Sequence, residues 1–185
     1  MLLTALRTIG VARGTTLHKA TPSNRAPPTN FRTSFFAAPS NQPAVGIFAC
    51  LVTREAFADC AVQVEFRRNR GNSGLFVRSD FGADLGFVSG YEADIWPGAM
   101  GKLSYDRKVL FRPDKALQER VFKSADWNLY RIEAQGKRIR VWLNGTLMTE
   151  YTDAVVRPGR VALQLEDSAD VEFRNVQVQK LTPAP

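Results

Sequence analysis

A single histidine, His18, and only two cysteines, Cys50 and Cys60, set the first limits on the chemistry of this 185-residue chain. One histidine in a Thr-rich stretch nearly removes Ser-His-Asp and Cys-His nucleophilic catalysis, and with them any metal site built on several histidines. Two cysteines make no disulfide framework, and neither belongs to a CxxC pair of the kind that holds zinc. No run approaches the ~18 uninterrupted apolar residues that a membrane-spanning helix needs. Acidic residues are absent from the first 54 positions, which carry Arg7, Arg13, Lys19, Arg25, Arg32 and Arg54. The net charge of +7 therefore resides almost wholly there, since the remainder holds nineteen basic and eighteen acidic side chains. No basic groove is expected on the folding part, and nucleic-acid binding would require the leading segment itself to be ordered.

What is present is a soluble, globular composition, 44% hydrophobic and 23% charged, with room for one ordinary domain and a tail. Residues 1–46 are rich in Thr, Ser, Asn, Arg and Pro and show neither a helical nor a strand period. They read as a disordered leader or an upstream start rather than an organellar address, although their acid-free, Arg-rich composition is also that of a transit peptide. A secretory signal fits poorly, because Arg7 interrupts the short apolar run of Met1–Leu6.

From 47 onward the texture changes to short alternating segments divided by turn residues. In Ala61–Arg67, Val62, Val64 and Phe66 share one face and Gln63, Glu65 and Arg67 the other. Further strands are predicted over 74–78, 86–95 (with a bulge at Gly90), 127–134, 138–143, 147–151, 160–165 and 171–178. Asn144-Gly145 is the strongest hairpin signal, since both central positions of a type I′ turn need positive φ. Ala116–Phe122 could make two helical turns, and no other helix is expected. The sum is an all-β sandwich or barrel.

Three stretches then carry a resemblance. Val64-Glu65-Phe66-Arg67 with Gly71-Asn72-Ser73-Gly74-Leu75-Phe76-Val77-Arg78 resembles the "EFR…NSG-apolar-aromatic-x-R" pair of the 3-keto-disaccharide hydrolase family. Ser89-Gly90-Tyr91-Glu92-Ala93-Asp94-Ile95 with Gly101–Asp106 is similar to its "GYEADI…G-x-LYD" segment. Asp126-Trp127-Asn128, Val141–Gly145, Val161–Gln164 and Glu172–Val176 are similar to its "DWN", "VWLNG", "IALQ" and "FRNI" blocks. The likeness spans about Leu51 to Leu181. It implies a concanavalin A-like jelly roll of two antiparallel sheets over 47–183, a carbohydrate substrate, and a protein that is often exported. It also implies two departures: strands that usually precede Leu51–Thr53 are replaced by the leader, which would bare a sheet edge, and Leu165-Glu166 follows Gln164 where the family commonly has a histidine.

Glu92 and Asp94, two apart on a strand, face the same way about 6–7 Å apart. Two carboxylates at that spacing suit glycoside chemistry, though strand geometry alone equally describes a solvated face. The resemblance implies a 3-keto sugar, whose keto group acidifies the C2 proton. Glycosidic cleavage by elimination then needs a general base and donors for an enolate oxygen. On that reading Glu92 or Asp94 is the base, with Arg78 and Tyr105 near the oxyanion or sugar hydroxyls and Lys102 as an alternative donor. Trp96, beside Pro97-Gly98, could stack on a sugar ring, and Gln164 could point into the cleft. Asp94 and Asp106 could share a divalent cation such as calcium, although a set of 6–8 oxygen ligands is not visible. Asn72 and Ser73 read as turn-shaping, Trp127 and Trp142 as packing residues, and Arg67-Arg68-Asn69-Arg70 as a solvated turn. A non-catalytic, lectin-like sugar-binding domain is the alternative reading.

Overall fold

The computed structural model describes residues 35–38, 48–81, 88–152, 155–166 and 169–183. Twelve strands and one helix follow in order: β1 (Phe35–Ala38), β2 (Phe48–Thr53), β3 (Cys60–Arg70), β4 (Ser73–Phe81), β5 (Val88–Ile95), β6 (Leu103–Tyr105), β7 (Lys108–Phe111), α1 (Lys115–Val121), β8 (Asn128–Gln135), β9 (Arg138–Leu143), β10 (Thr146–Thr152), β11 (Arg160–Glu166) and β12 (Asp170–Lys180). They form a seven-stranded sheet, β1-β2-β11-β4-β5-β6-β7, and a five-stranded sheet, β10-β9-β8-β3-β12. Every pairing is antiparallel, which is the two-sheet sandwich expected of the sequence.

The alternation of residues produces the layers. Val62, Val64 and Phe66 of β3, Tyr130 and Ile132 of β8, and Ile139, Val141 and Leu143 of β9 are buried inward. They meet Leu75 and Val77 of β4, Tyr91, Ala93 and Ile95 of β5, and Val161 and Leu163 of β11 in one core. Period-two burial on both sheets is how antiparallel layers enclose apolar surface while their outer faces stay polar. Asn144 and Gly145 take φ of +49° and +81°, the hairpin conformation expected of them. The Asn144 side chain also accepts from the Leu129 N–H at 2.9 Å and donates to the Val121 carbonyl at 2.8 Å, closing the end of α1. That helix is real, and Asp114 caps it by accepting from the Leu117 N–H at 3.1 Å.

Four expectations need correction. β1 lies within the segment read as leader, and it pairs with β2 from Phe35↔Thr53 to Ala38↔Cys50, so that edge of β2 is not bare. An apolar Phe-Phe-Ala-Ala run completes an edge ladder with little alternation to betray it. The rest of 1–46, His18 included, lies outside the described residues, as do 86–87 of the strand predicted from 86. The basic run 67–70 is not a turn but the end of β3: Arg67 pairs with Glu172 at 2.6 Å and Arg68 reaches Trp96. The bulge sits opposite Gly90 rather than in its own strand. Val77 pairs with Tyr91 and Asp80 with Ser89, so Arg78 and Ser79 together face Gly90.

Arg78 is the largest correction, because the residue read as substrate-binding is wholly buried. Its φ of +51° turns the bulge, and a left-handed conformation in a non-glycine residue persists only where its surroundings enforce it. Here Nε donates to the Ala58 carbonyl (2.7 Å), Nη1 to the Val155 carbonyl (3.0 Å), and Nη2 to the Gly136 carbonyl (2.7 Å) and Asp59 Oδ1 (3.0 Å). Asp59 also accepts from the Gly136 N–H at 2.8 Å. The guanidinium thus ties four chain segments together, and it cannot touch a substrate. A Cβ on Gly159 would lie 2.2 Å from the Arg78 carbonyl carbon, so the bulge is clasped by backbone on that side as well.

On the outer face of the five-stranded sheet, Trp142 lies under the Arg131 and Arg140 guanidiniums, and Trp127 lies 3.7 Å from that of Arg174. Both tryptophans are packing residues of this face. Glu133, bonded by Arg131 and Arg140, and Glu65, bonded by Asn175 and Arg174, complete it.

Arg78→Met should cost about 3–5 kcal/mol, since it strands Asp59 and three carbonyls in the interior. The melting temperature should fall by about 10 °C or more. A substrate-binding arginine would instead leave the melt unchanged. The acidic side gives a second expectation. Burial works against ionisation of Glu133, but its two arginines outweigh it and hold its pKa below the ordinary 4.5; the bond from Asn175 does the same for Glu65. Their stabilisation is complete above pH 4.5 and fades as the pH falls through the depressed values. Melts between pH 7 and 3 should show that loss, and Glu133→Gln should make it smaller.

Candidate functional site

Because Tyr91, Ala93 and Ile95 of β5 point into the core, Glu92 and Asp94 point to the outer face of the seven-stranded sheet. The register extends this face in rows. One row runs Cys50, Gln164, Gly74, Asp94, and the next runs Val52, Ala162, Phe76, Glu92, Ser104. The β2 side of the face is apolar and buried, with Cys50, Val52, Phe76, Val88 and Ala162 in a second cluster. The β5–β6 side is polar.

Glycine at position 74 shapes the boundary. A Cβ there would meet Glu92 Oε1 at 2.5 Å and Glu92 Cγ at 3.0 Å. The Glu92 side chain therefore lies across Gly74, in the gap that the row leaves between Gln164 and Asp94. Strands stand about 4.8 Å apart, so this lean brings Gln164, the Glu92 carboxylate and Asp94 into one line. Asp94 continues the line through a 2.7 Å ion pair from its Oδ2 to Lys102 Nζ. Burial and the Glu92 charge together push the Cys50 thiol up to about 12, consistent with a carboxylate leaning toward that side. Gln164 Oε1 is buried with no hydrogen-bond partner among the described residues, which leaves an acceptor at the end of the line.

The segment between Asp94 and Lys102 is a tight, well-anchored turn. The Asp94 N–H donates to the Lys102 carbonyl at 3.0 Å and the Gly101 N–H to the Asp94 carbonyl at 3.1 Å. From the opposite sheet Tyr130 Oη donates to the Asp94 carbonyl at 2.9 Å, and Thr149 Oγ1 to the Gly101 carbonyl at 2.6 Å. Ala99 and Met100 are buried beneath it. Burial, reinforced by the nearby Asp94 charge, raises the pKa of the Tyr130 hydroxyl well above its ordinary value. Over the turn opens a depression of about 430 Å³ lined by Asn72, Asp94, Trp96, Lys102 and Arg112 with the 97–99 backbone. Trp96 is 45% exposed at its rim.

The expected residues therefore divide. Asp94, Trp96 and Lys102 line the depression, and Glu92 and Gln164 stand beside it on the same face. Tyr105 does not join them: its partner in the ladder is Tyr91, and its ring lies 4.7 Å from the Tyr91 ring on the core side. Asp106 is a turn residue with φ +47°, accepting from Ser89 Oγ (2.8 Å) and the Gly90 N–H (2.9 Å). It sits beside Gly90, four residues from Asp94 along β5 and thus about 13 Å away, so the two do not share a cation. No group of three or more His, Cys, Asp or Glu side chains that could hold a metal occurs among the described residues. Asn72 and Arg112 escaped the sequence reading. Asn72 looks like any turn residue, and Arg112 precedes a proline outside every motif. Gly74 had a signal, since a glycine inside an alternating strand marks a close approach. No helix among the described residues is long and apolar enough to cross a membrane.

Gly74→Ala should leave the fold intact, because the atom it meets is the end of a flexible side chain, while swinging the Glu92 carboxylate out of line. Its melting temperature should stay within about 3 °C of the parent, whereas Gly159→Ala, which meets rigid backbone, should lose about 3 kcal/mol.

Comparison with known proteins agrees with this architecture. A carbohydrate-binding module, CBM66 from Bacillus subtilis, superposes with a TM-score of 0.61 at 18% identity, over 78% of this chain and 95% of its own. A candidate glycosyl hydrolase from Parabacteroides distasonis ATCC 8503 gives 0.59 at 19% identity, over 74% and 87%. A protein of unknown function with a galectin-like fold from Bacillus subtilis gives 0.61 at 11%, over 83% and 90%. At these identities the likeness is one of fold, the jelly-roll sandwich. No curated protein sequence is recognisably similar to the chain. The profile of the 3-keto-alpha-glucoside-1,2-lyase-like domain matches residues 36–179, beginning at β1 and ending in β12, so the chain belongs to that carbohydrate-related family.

Proposed function

We propose that the depression binds a 3-keto-glycoside and that the adjoining line of polar groups cleaves its glycosidic bond. The supporting observation is the row Gln164, Glu92, Asp94, Lys102, laid beside an exposed tryptophan on a rigid turn. A keto group at C3 makes the C2 proton acidic. A carboxylate removes it, the electron pair moves into an enolate, and the C1–O bond breaks as the double bond forms between C1 and C2, the leaving oxygen taking up the proton that the carboxylate removed. Water then adds, hydroxyl to C1 and proton to C2, for net hydrolysis. Glu92, whose carboxylate lies across Gly74 toward the row, is the base of this reading, and Asp94 is held by Lys102. Lys102 stands ready for the enolate oxygen, where a preorganised cation acts most strongly in a partly dehydrated site. Trp96 offers a face to the sugar ring, and Gln164 Oε1 accepts from a sugar hydroxyl.

A second reading, a non-catalytic lectin-like domain, draws on one feature. Leu165-Glu166 stands where the resembled family commonly has a histidine after Gln164. Incubating the chain with 3-keto-trehalose or a 3-keto-glucoside, with and without a divalent cation, separates the two. Glycoside loss is expected, with Glu92→Gln at least about 100-fold slower. If Glu92→Gln and Asp94→Asn both retain full turnover, the assigned chemistry is wrong. Thermal shifts on sugar addition without consumption would favour the binding domain.

A further inference from the structure

The charges around Trp96 do not balance, and the imbalance bears on which sugars fit. Lys102 is matched by Asp94 at 2.7 Å. Arg112 lines the same depression but donates only from Nη1 to the Gly98 carbonyl at 3.1 Å, a neutral partner. Arg68 sits 5.4 Å over the Trp96 ring and donates from Nε to the Gly71 carbonyl at 2.7 Å. Neither guanidinium forms an ion pair among the described residues. On the outer face of the five-stranded sheet, by contrast, Arg67, Arg131, Arg140 and Arg174 each have a glutamate. Two guanidiniums without a counter-charge, one over an exposed aromatic ring and one lining the depression beside it, offer a place where an external anion would be bound. Partial burial draws the Arg68 pKa down, a sign that this guanidinium has given up water without gaining a carboxylate.

We infer that the depression selects glycosides that carry a negatively charged substituent, with the sugar ring on Trp96 and its anionic group on Arg112 and Arg68. This rests on the reading that the depression binds sugar, and it adds the class of sugar. A planar guanidinium meets a carboxylate or phosphate oxygen pair through two parallel N–H groups, which a neutral hydroxymethyl group cannot exploit. Arg112, fixed to the Gly98 carbonyl through one nitrogen, keeps its other donors for that purpose.

The test compares the affinity of the full chain for methyl glucuronide, glucose 6-phosphate and methyl glucoside, by calorimetry or chemical-shift titration in low salt. At least one acidic sugar should bind about tenfold tighter than the neutral glycoside. Glucuronide leading would identify the group as a carboxylate, and the phosphate leading would identify it as a phosphate. That preference should shrink several-fold in Arg112→Gln, in Arg68→Gln and in 0.5 M NaCl. Arg112 is exposed, so its variant should melt with the parent. Equal binding of neutral and acidic sugars overturns the inference and leaves the sugar site standing. A preference that survives both substitutions overturns the assignment to these arginines. Binding of none of the three overturns the inference together with the sugar reading beneath it.

Discussion

The ion pair between Arg78 and Asp59 is the constraint on which the remaining geometry rests. A charged side chain with no exposure is tolerated only when its partners replace water completely, and here three carbonyls and a carboxylate do so. In return the arginine fixes a left-handed bulge in β4, and the bulge decides how β4 lies against β5. From that register follow the pairings Gly74↔Asp94 and Phe76↔Glu92, and from those the line of polar groups on the outer face. The Val62–Val64–Phe66 layer would enclose a core without this arrangement.

The fold was largely legible because its signals are local. Period-two alternation in β3 and β9, the Asn144-Gly145 hairpin, and the turn between β8 and β9 are written in adjacent residues, and the structure realises each. What escaped was non-local. β1 carries no alternation and owes its existence to the open edge of β2. The sequence points to Gly90, the residue free to adopt unusual φ, for the bulge, yet the extra residue is in the facing strand, where Arg78 supplies the positive φ.

The site was legible by face rather than by role. Strand parity placed Glu92, Asp94 and Gln164 on one side, and a loop tryptophan beside Asp94 was a sound candidate for the rim. Tyr105 pairs with Tyr91 and so shares its inward direction, a pairing invisible until the β5–β6 register is known. Arg78 and Asp106 are charged residues of the motifs that carry the family resemblance. Both are scaffold. Motif arginines and aspartates hold bulges and turns as readily as they hold substrates, and only burial separates the two uses.

The two cysteine thiols carry a last consequence. Cys60 lies at the inner core and Cys50 in the separate apolar cluster on the outer face, both buried, and burial lifts each thiol to about 12. A thiol that stays protonated and hidden neither seeks an oxidant nor exchanges with glutathione. In the folded sandwich neither thiol is therefore placed to form a disulfide or to exchange with one.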